Sequence, residues 1–480
     1  LEQAKPRPQG RGFLLLASWR LHGTLCSMIS TTKVIDPRRL AFDILERVLG
    51  GGYADRTLDA ALQRYPQLDP RDRGLTTELV YGVLRQQGRL DYALGRFCKQ
   101  PLAKLENRVL LLLRLGAYQL LCLDRVPDSA AVDTTVQLTR QLKLERATGF
   151  VNGILRNLGR GKGALAWPNP EREPLAYLQH ALSLPQWLAQ RWLRELGAEE
   201  ARQLAAALLE PAPFSVRVNT LKTDRASFLA ALTSSGHCGE PTRFAPEGVI
   251  LRERAAAPLP GDVEGWYQVQ DEASMLVAHL LAPQPGERLL DVCAAPGGKT
   301  THLAALTNNR AVITAVDLHP QRLRLVEQGA ARLGCSGITT KSWDMTLFPP
   351  FIPLASCDGV LVDAPCSGLG VLRRNPEARW RLQPADVVVL GERQAMILTQ
   401  AAALVRPGGR LVYAVCTLTP EETDQQVANF LVQHPDFRLQ SLADSVPDSW
   451  RELLDEQGCL RSWPHRCGLD GFFAARFLRC

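Results

Sequence analysis

Two cysteines carry the most suggestive chemistry in this chain. One lies in Val362-Asp363-Ala364-Pro365-Cys366-Ser367-Gly368, the other in Tyr413-Ala414-Val415-Cys416-Thr417. Each follows an apolar run of the kind that forms a buried strand, so both thiols are expected at strand tips facing one crevice. A single Cys more often serves as a small buried hydrophobe. Two at neighbouring strand ends reverse that preference. The chemistry that needs such a pair is methylation of carbon 5 in a pyrimidine. That carbon is a poor nucleophile until a thiolate adds at carbon 6 and turns the ring into an enamine, after which it can attack a methyl sulfonium. An acid at ring nitrogen 3 assists the addition, and Asp363 is placed for it. Lys299 is a candidate to depress a thiol pKa or to meet a substrate phosphate.

A methyl donor needs its own pocket. Asp291-Val292-Cys293-Ala294-Ala295-Pro296-Gly297-Gly298-Lys299-Thr300 follows an apolar strand and opens a helix. Its glycines and alanines let backbone approach a ligand closely. Gly298-Lys299-Thr300 matches the tail of a phosphate-binding P-loop, but Cys293 stands where that motif needs glycine, and no GxGxxG is present. Asp317 ends the next strand, where it can accept bonds from both ribose hydroxyls, and Asp344 ends the third, where it can take the exocyclic amine of adenine. Together they describe a nucleoside pocket without a pyrophosphate cradle, which S-adenosylmethionine fits. The eight histidines are dispersed without ligand spacing, so no metal is expected.

The elements that must hold these residues follow from the pattern. From Tyr267 onward strands and helices alternate. Strands are expected at 288–293, 311–317, 338–343, 358–363 and 409–415, with helices at 319–334 and 385–405, giving a doubly wound α/β domain over 267–480. Residues 34–163 read as all helix. Asp36 is the expected N-cap, Pro37 takes the first helical position, Leu40, Ile44, Leu45 and Val48 recur at helical spacing, and the run from Leu110 to Leu113 marks a central helix. A Pro-rich linker at 164–180 and a helical pair to about 210 lead into a strand at 214–219 and a helix at 224–236. These make a small α+β unit within 164–266.

Composition bounds the rest. The chain has 480 residues, 46% of them hydrophobic. That suits two to four domains of roughly 100–200 residues each. No run approaches the ~18 apolar residues that cross a bilayer, and Phe13 to Ala17 is shorter than a signal-peptide core of about 7–15. No membrane partner is expected. The first Met is Met28, so residues 1–33 read as an N-terminal extension. Twelve cysteines without a CxxC pair point to a reducing, cytoplasmic setting. The net charge is +7, and residues 31–170 hold 22 Lys and Arg against 14 Asp and Glu, so the positive field sits at the front and suits a polyanion.

Residues 267–480 resemble the RNA (cytosine-5) methyltransferases of the NOL1/NOP2/Sun family. The resemblance rests on Gln268-Val269-Gln270-Asp271-Glu272-Ala273-Ser274, Cys293 to Lys299, Asp363 to Gly368, Arg373-Arg374-Asn375-Pro376-Glu377 and the Cys416 segment. The leading helices resemble the NusB-like RNA-binding domain, on Gly116-Ala117-Tyr118-Gln119-Leu120 and Val151 to Arg156. The resemblance implies an all-α NusB-like bundle, a small α+β linker domain and a Rossmann-like class I methyltransferase. It implies Cys416 as nucleophile and Cys366 as the thiol that assists release. Cys293, Ala294, Ala295, Pro296, Gly297, Gly298, Lys299, Asp317, Asp344 and Asp363 would form the S-adenosylmethionine site. The implied substrate is a cytosine in small-subunit (16S) ribosomal RNA, and a monomer is expected because nothing in the sequence requires a dimer. A cytosine must leave its stack to reach a thiol, so a loop or a flipped base is expected. Arg373, Arg374, Arg379 and Trp380, just after the fourth strand, suit phosphate contacts and stacking. Val415 and Thr423 depart from the usual Thr and Asn without removing a reacting group. A tRNA cytosine-5 methyltransferase and a non-catalytic assembly or antitermination factor are the alternatives.

Overall fold

The computed structural model describes residues 35–252 and 259–480. The expected extension at 1–33 lies outside the described residues. The chain opens where the cap signal stood: the Asp36 carboxylate accepts from the Arg38 N–H at 2.9 Å, with Pro37 next. Six helices follow, α1 (Pro37–Leu49), α2 (Ala54–Arg64), α3 (Pro70–Gly95), α4 (Asn107–Cys122), α5 (Asp128–Gln141) and α6 (Thr148–Gly161). Helix α4 is central, touching α1, α3, α5 and α6. Leu111, Leu112, Leu113, Leu115 and Ala117 are all buried, as an apolar run on a central helix must be.

Helices α7 (Pro174–His180) and α8 (Gln186–Ala207) form the connector, with α8 broken at Gly197. A small antiparallel sheet comes next, built from β1 (Phe214–Val218), β2 (Gly239–Pro241), β3 (Gly248–Leu251) and β4 (Tyr267–Val269) in the order β2-β3-β1-β4. Helix α9 (Arg225–Ser234) covers it, burying Phe228 and Leu232 against Val216, Val218 and Val249. Strand β4 pairs with β1, so this sheet runs a few residues past the border expected at 266.

The large sheet has the order β10-β12-β9-β8-β5-β6-β7, with β11 on β12. Its parallel part is β5 (Arg288–Val292), β6 (Val312–Asp317), β7 (Ile338–Ser342), β8 (Cys357–Asp363) and β9 (Val405–Val415). These match the expected strands closely. The chain runs outward from β5 to β7, then returns to lay β8 on the other side of β5. The crevice at that reversal, beyond the carboxyl ends, is where such sheets bind ligands. Helices α10 (Glu272–Leu280), α11 (Gly298–Leu306), α12 (Pro320–Leu333), α13 (Ala378–Arg381), α14 (Pro384–Leu404), α15 (Asp424–Gln433) and α16 (Pro464–Cys467) complete the domain. The sequence pattern missed the antiparallel half: β10 (Phe437–Gln440), β11 (Leu460–Ser462) and β12 (Phe472–Arg479), the last of which lies between β9 and β10.

Candidate active site

Strand β5 delivers Asp291 to the crevice. Its carboxylate is fully buried and accepts from Thr300 Oγ1 at 2.5 Å, while Oδ1 has no partner. Burial raises its pKa to about 7, against the bond from Thr300, and the Asp363 carboxylate adds to the rise. The loop after β5 is pressed onto its neighbours. Ala294 N–H donates to Val316 O at 3.0 Å, Ala295 N–H donates to Asp317 Oδ2 at 3.2 Å, and Arg322 donates to Ala295 O at 2.6 Å. Gly297 has φ 103°, and a Cβ there would sit 2.9 Å from Val326 Cα, so only glycine fits. Helix α11 begins at Gly298 without a side-chain cap, and Thr301 N–H donates to Gly297 O at 3.0 Å.

Asp317 is buried at the end of β6 and also accepts from His319 N–H at 3.0 Å. Asp344, just past β7, accepts from the Thr346 N–H and hydroxyl, which lowers its pKa. With Asp363 at the end of β8, carboxylates follow four strands in a row. This set offers acceptors to a ligand rich in hydroxyl and amine donors, and would repel a phosphate. The Asp344 and Asp363 carboxylates and the side-chain-free backbone at Gly297 and Gly298 fit a nucleoside that carries an ammonium, as S-adenosylmethionine does. Lys299, buried at the start of α11, places its ammonium 2.6 Å from Asp363 Oδ2. The partner that it meets is this carboxylate rather than a thiol.

The two thiols do meet. Cys366 Sγ and Cys416 Sγ are 3.3 Å apart, and both residues are only partly buried. The bond to Cys416 and then burial push the Cys366 thiol well above its ordinary pKa. The neighbouring sulfur and burial thus both disfavour loss of the Cys366 proton. Backbone bonds fix the two loops: Ala364 N–H to Ala414 O at 2.9 Å, Gly370 N–H to Cys416 O at 3.1 Å, and Gly471 N–H to Gly370 O at 2.9 Å. Sequence reasoning missed a residue between them. Glu422 is fully buried and accepts from Ser367 N–H and Oγ, Thr417 Oγ1, Thr419 Oγ1 and Gln394 Nε2. The Thr419-x-x-Glu422 spacing, with a hydroxyl and an acid three apart, was the available signal.

Of the four residues expected to touch RNA, Arg373 and Arg379 are buried, whereas Arg374 and Trp380 keep part of their surface exposed. Arg373 is buried and donates to Asp470 and to Gly468 O. Arg374 joins Asp470 to Asp271. Arg379 is fully buried, with its guanidinium shared among the carbonyls of Arg85, Ser183, Leu208 and Leu372. Trp380 donates its indole N–H to Leu84 O at 2.8 Å. Glu377 and Arg381 similarly bond to Ala54 N–H and to Val48 O in the helical bundle. In this arrangement Arg373 and Arg379 are spent inside the protein, because both guanidiniums are buried against protein acceptors, with Arg379 Nε left without a partner. The histidines also differ from expectation: Glu247, His279 and His302, far apart in sequence, bring their ligand-type atoms within 4.8 Å of one another. Both imidazoles lie against the one carboxylate, at 3.1 Å and 2.7 Å, with His279 T-stacked on Trp450.

A doubly wound sheet, a glycine loop with strand-end carboxylates and a neighbouring thiol pair define an S-adenosylmethionine-dependent methyltransferase. Comparison with known proteins narrows this. The family model described as 16S rRNA methyltransferase RsmB/F matches residues 278–478, the NusB family model matches 35–160, and an RsmF/B-like ferredoxin-like domain matches 184–257. The chain is 38% identical to the probable ribosomal RNA small subunit methyltransferase B of Synechocystis over 451 residues, covering 92% of this chain and 99% of that one. It is 34% identical to ribosomal RNA small subunit methyltransferase B of Klebsiella pneumoniae, covering 93% and 99%. A crystal structure of a methyltransferase homologue from Pyrococcus horikoshii is 28% identical with a TM-score of 0.55, covering 64% of this chain and 99% of that one. The chain belongs to the ribosomal RNA small subunit methyltransferase B family. Among the described residues no helix is long and apolar enough to cross a membrane.

Proposed function

We propose that this protein methylates carbon 5 of a cytosine in 16S ribosomal RNA, with Cys416 as nucleophile. The observation that carries the reading is the pair of thiols 3.3 Å apart at the ends of β8 and β9, beside the donor loop. The Cys416 thiolate adds to carbon 6 of a flipped cytosine, forming the S–C6 bond, and the ring electrons move to carbon 5. The cofactor, when bound, supplies an electrophilic methyl group. Asp317, Asp344, Asp363 and the 293–299 loop would hold it. Asp363 and Lys299, joined as an ion pair, lie where the base and the cofactor meet and can share a proton with ring nitrogen 3. Loss of the carbon 5 proton to a water molecule then re-forms the ring double bond and breaks the S–C6 bond, expelling Cys416 as thiolate. Cys366, which holds its proton, serves this release. The basic NusB-like bundle supplies RNA affinity that weakens as salt rises.

The test is methyl transfer from labelled cofactor to 16S ribosomal RNA taken from a strain lacking the gene, followed by nucleoside analysis. The expected product is labelled 5-methylcytosine. Label confined to tRNA, or a methyl group on another atom, would overturn the reading.

A further inference from the structure

Glu422 is an unusual acid. It is fully buried at the end of the loop that carries Cys416, and each hydrogen-bond donor named for it is uncharged. A buried carboxylate without a cation is tolerated only when several donors share its charge. Those donors come from both sides of the thiol pair. Ser367, adjacent to Cys366, donates its N–H at 2.8 Å to one carboxylate oxygen and its hydroxyl at 2.5 Å to the other. Thr417, adjacent to Cys416, donates its hydroxyl at 3.1 Å and also meets the Ser367 hydroxyl at 2.8 Å. Gln394 on α14 donates at 3.0 Å to the carboxylate and at 2.9 Å to Pro365 O, while its own carbonyl accepts from the β9 residue Tyr413. Removing the carboxylate would leave all these donors facing one another in a dry site.

We infer that Glu422 is a positioning residue, whose carboxylate locks the Cys366 loop to the Cys416 loop and so sets the separation of the two thiols. It has no place for substrate, since it is sealed from the crevice. Its charge also adds to the upward push on the Cys366 pKa, which helps keep the proton there. The inference deepens the proposed role of the thiol pair and rests on it. The geometric part can be read without methyl transfer.

The thiols are close enough to be oxidised to a disulfide by a diazene such as diamide. The two sulfurs lose two protons and two electrons, and the N=N bond takes them up to become a hydrazine. The rate of this closure, divided by the rate at which the same thiols are alkylated by iodoacetamide, reports how well the loops are held, independent of any change in thiol reactivity. In Glu422→Ala, closure of the Cys366–Cys416 bond, followed by peptide mapping, is expected to slow about tenfold, equivalent to one strong hydrogen-bonded contact. Methyl-transfer kcat should fall with it while KM for the cofactor stays unchanged. Glu422→Gln keeps the shape, and the hydroxyls of Ser367, Thr417 and Thr419 can turn to accept from its amide, so closure should return to within about threefold of wild type. Closure at the wild-type rate in Glu422→Ala would overturn the inference, as would an equal defect in Glu422→Gln with raised cofactor KM. If Glu422→Ala does not fold, Ser367→Ala removes one arm of the clamp and must still slow closure. A wild-type rate there would also overturn it. Full turnover by Cys416→Ser would instead sink the proposed nucleophile and leave the disulfide comparison standing.

Discussion

The segment that follows β8 can be divided into two stretches a few residues apart. Asp363 and Cys366 are partly exposed at the strand tip and meet Lys299 and Cys416 there. Arg373 and Arg379 are buried and meet a carboxylate and four carbonyls. Both stretches are dense in reactive or charged side chains. What separates them is exposure, since the first stretch leaves its reactive atoms partly open and the second is buried against its partners. Those partners come from far away in sequence: Arg85, Ser183 and Leu208 for Arg379, Asp470 for Arg373. Proximity to a thiol says nothing about such partners.

The largest expected effect falls on the exposed stretch and its partner loop. Cys416→Ser should lower methyl transfer by at least about a thousandfold, since loss of the nucleophile removes the covalent route. Calorimetric affinity for the cofactor should not change. Full activity would remove the distinction between the two stretches altogether. Next in size, Cys366→Ser should cut turnover about a hundredfold while leaving attack intact, because only the release step loses its proton source. A denaturant-resistant protein–RNA band should accumulate. Should the band arise in the Cys416 variant instead, the thiols have exchanged roles.

Arg379→Ala probes the buried stretch. Loss of a charged donor from four buried carbonyls should destabilise the fold by about 3 kcal/mol, read by chemical denaturation. RNA affinity of the remaining folded protein should be unchanged. Unchanged stability with weakened RNA binding would restore Arg379 to the RNA surface. The smallest effect concerns another spent set, Glu247, His279 and His302. Burial, helped by Arg217, lowers the His302 pKa to about 3, although Glu247 opposes this. The unfolded imidazole takes a proton below about 6.5 while the folded one does not, so stability falls by about 1.4 kcal/mol per pH unit below that value. Denaturation at pH 7.5 and 5.5 should show this fall in the wild type and a smaller one in His302→Gln. Stability that rises on acidification would mean that the Glu247 ion pair wins.

Much of the fold could be read from the chain because its signals are local. The α1 cap, the apolar run of α4 and the five parallel strands each announce themselves within a dozen residues. Strand β12 did not. Its residues 472–477 are buried on both faces, so no alternation marks it, and its place between β9 and β10 depends on pairing with distant strands. The site divides in the same way. The glycine loop and both cysteines carry short motifs. Glu422 sits beside Glu421 in what reads as a polar turn, and its burial depends on Ser367 and Gln394, which lie well before it in the chain. The Glu247–His279–His302 cluster was invisible for the same reason.

The hydrogen bond from Gly471 to Gly370 has a consequence for the order of assembly. A Cβ on Gly370 would lie 2.0 Å from Gly471 O, so the two backbones lie directly against each other. Asp470, next door, anchors Arg373 and Arg374. The loop behind Cys366 is thus docked on residues translated more than fifty codons after Cys416. On a ribosome that delivers the chain from the front, the bundle and the parallel strands can form first. The backbone contact behind Cys366 can therefore form only once Gly471, at the threshold of β12, has emerged.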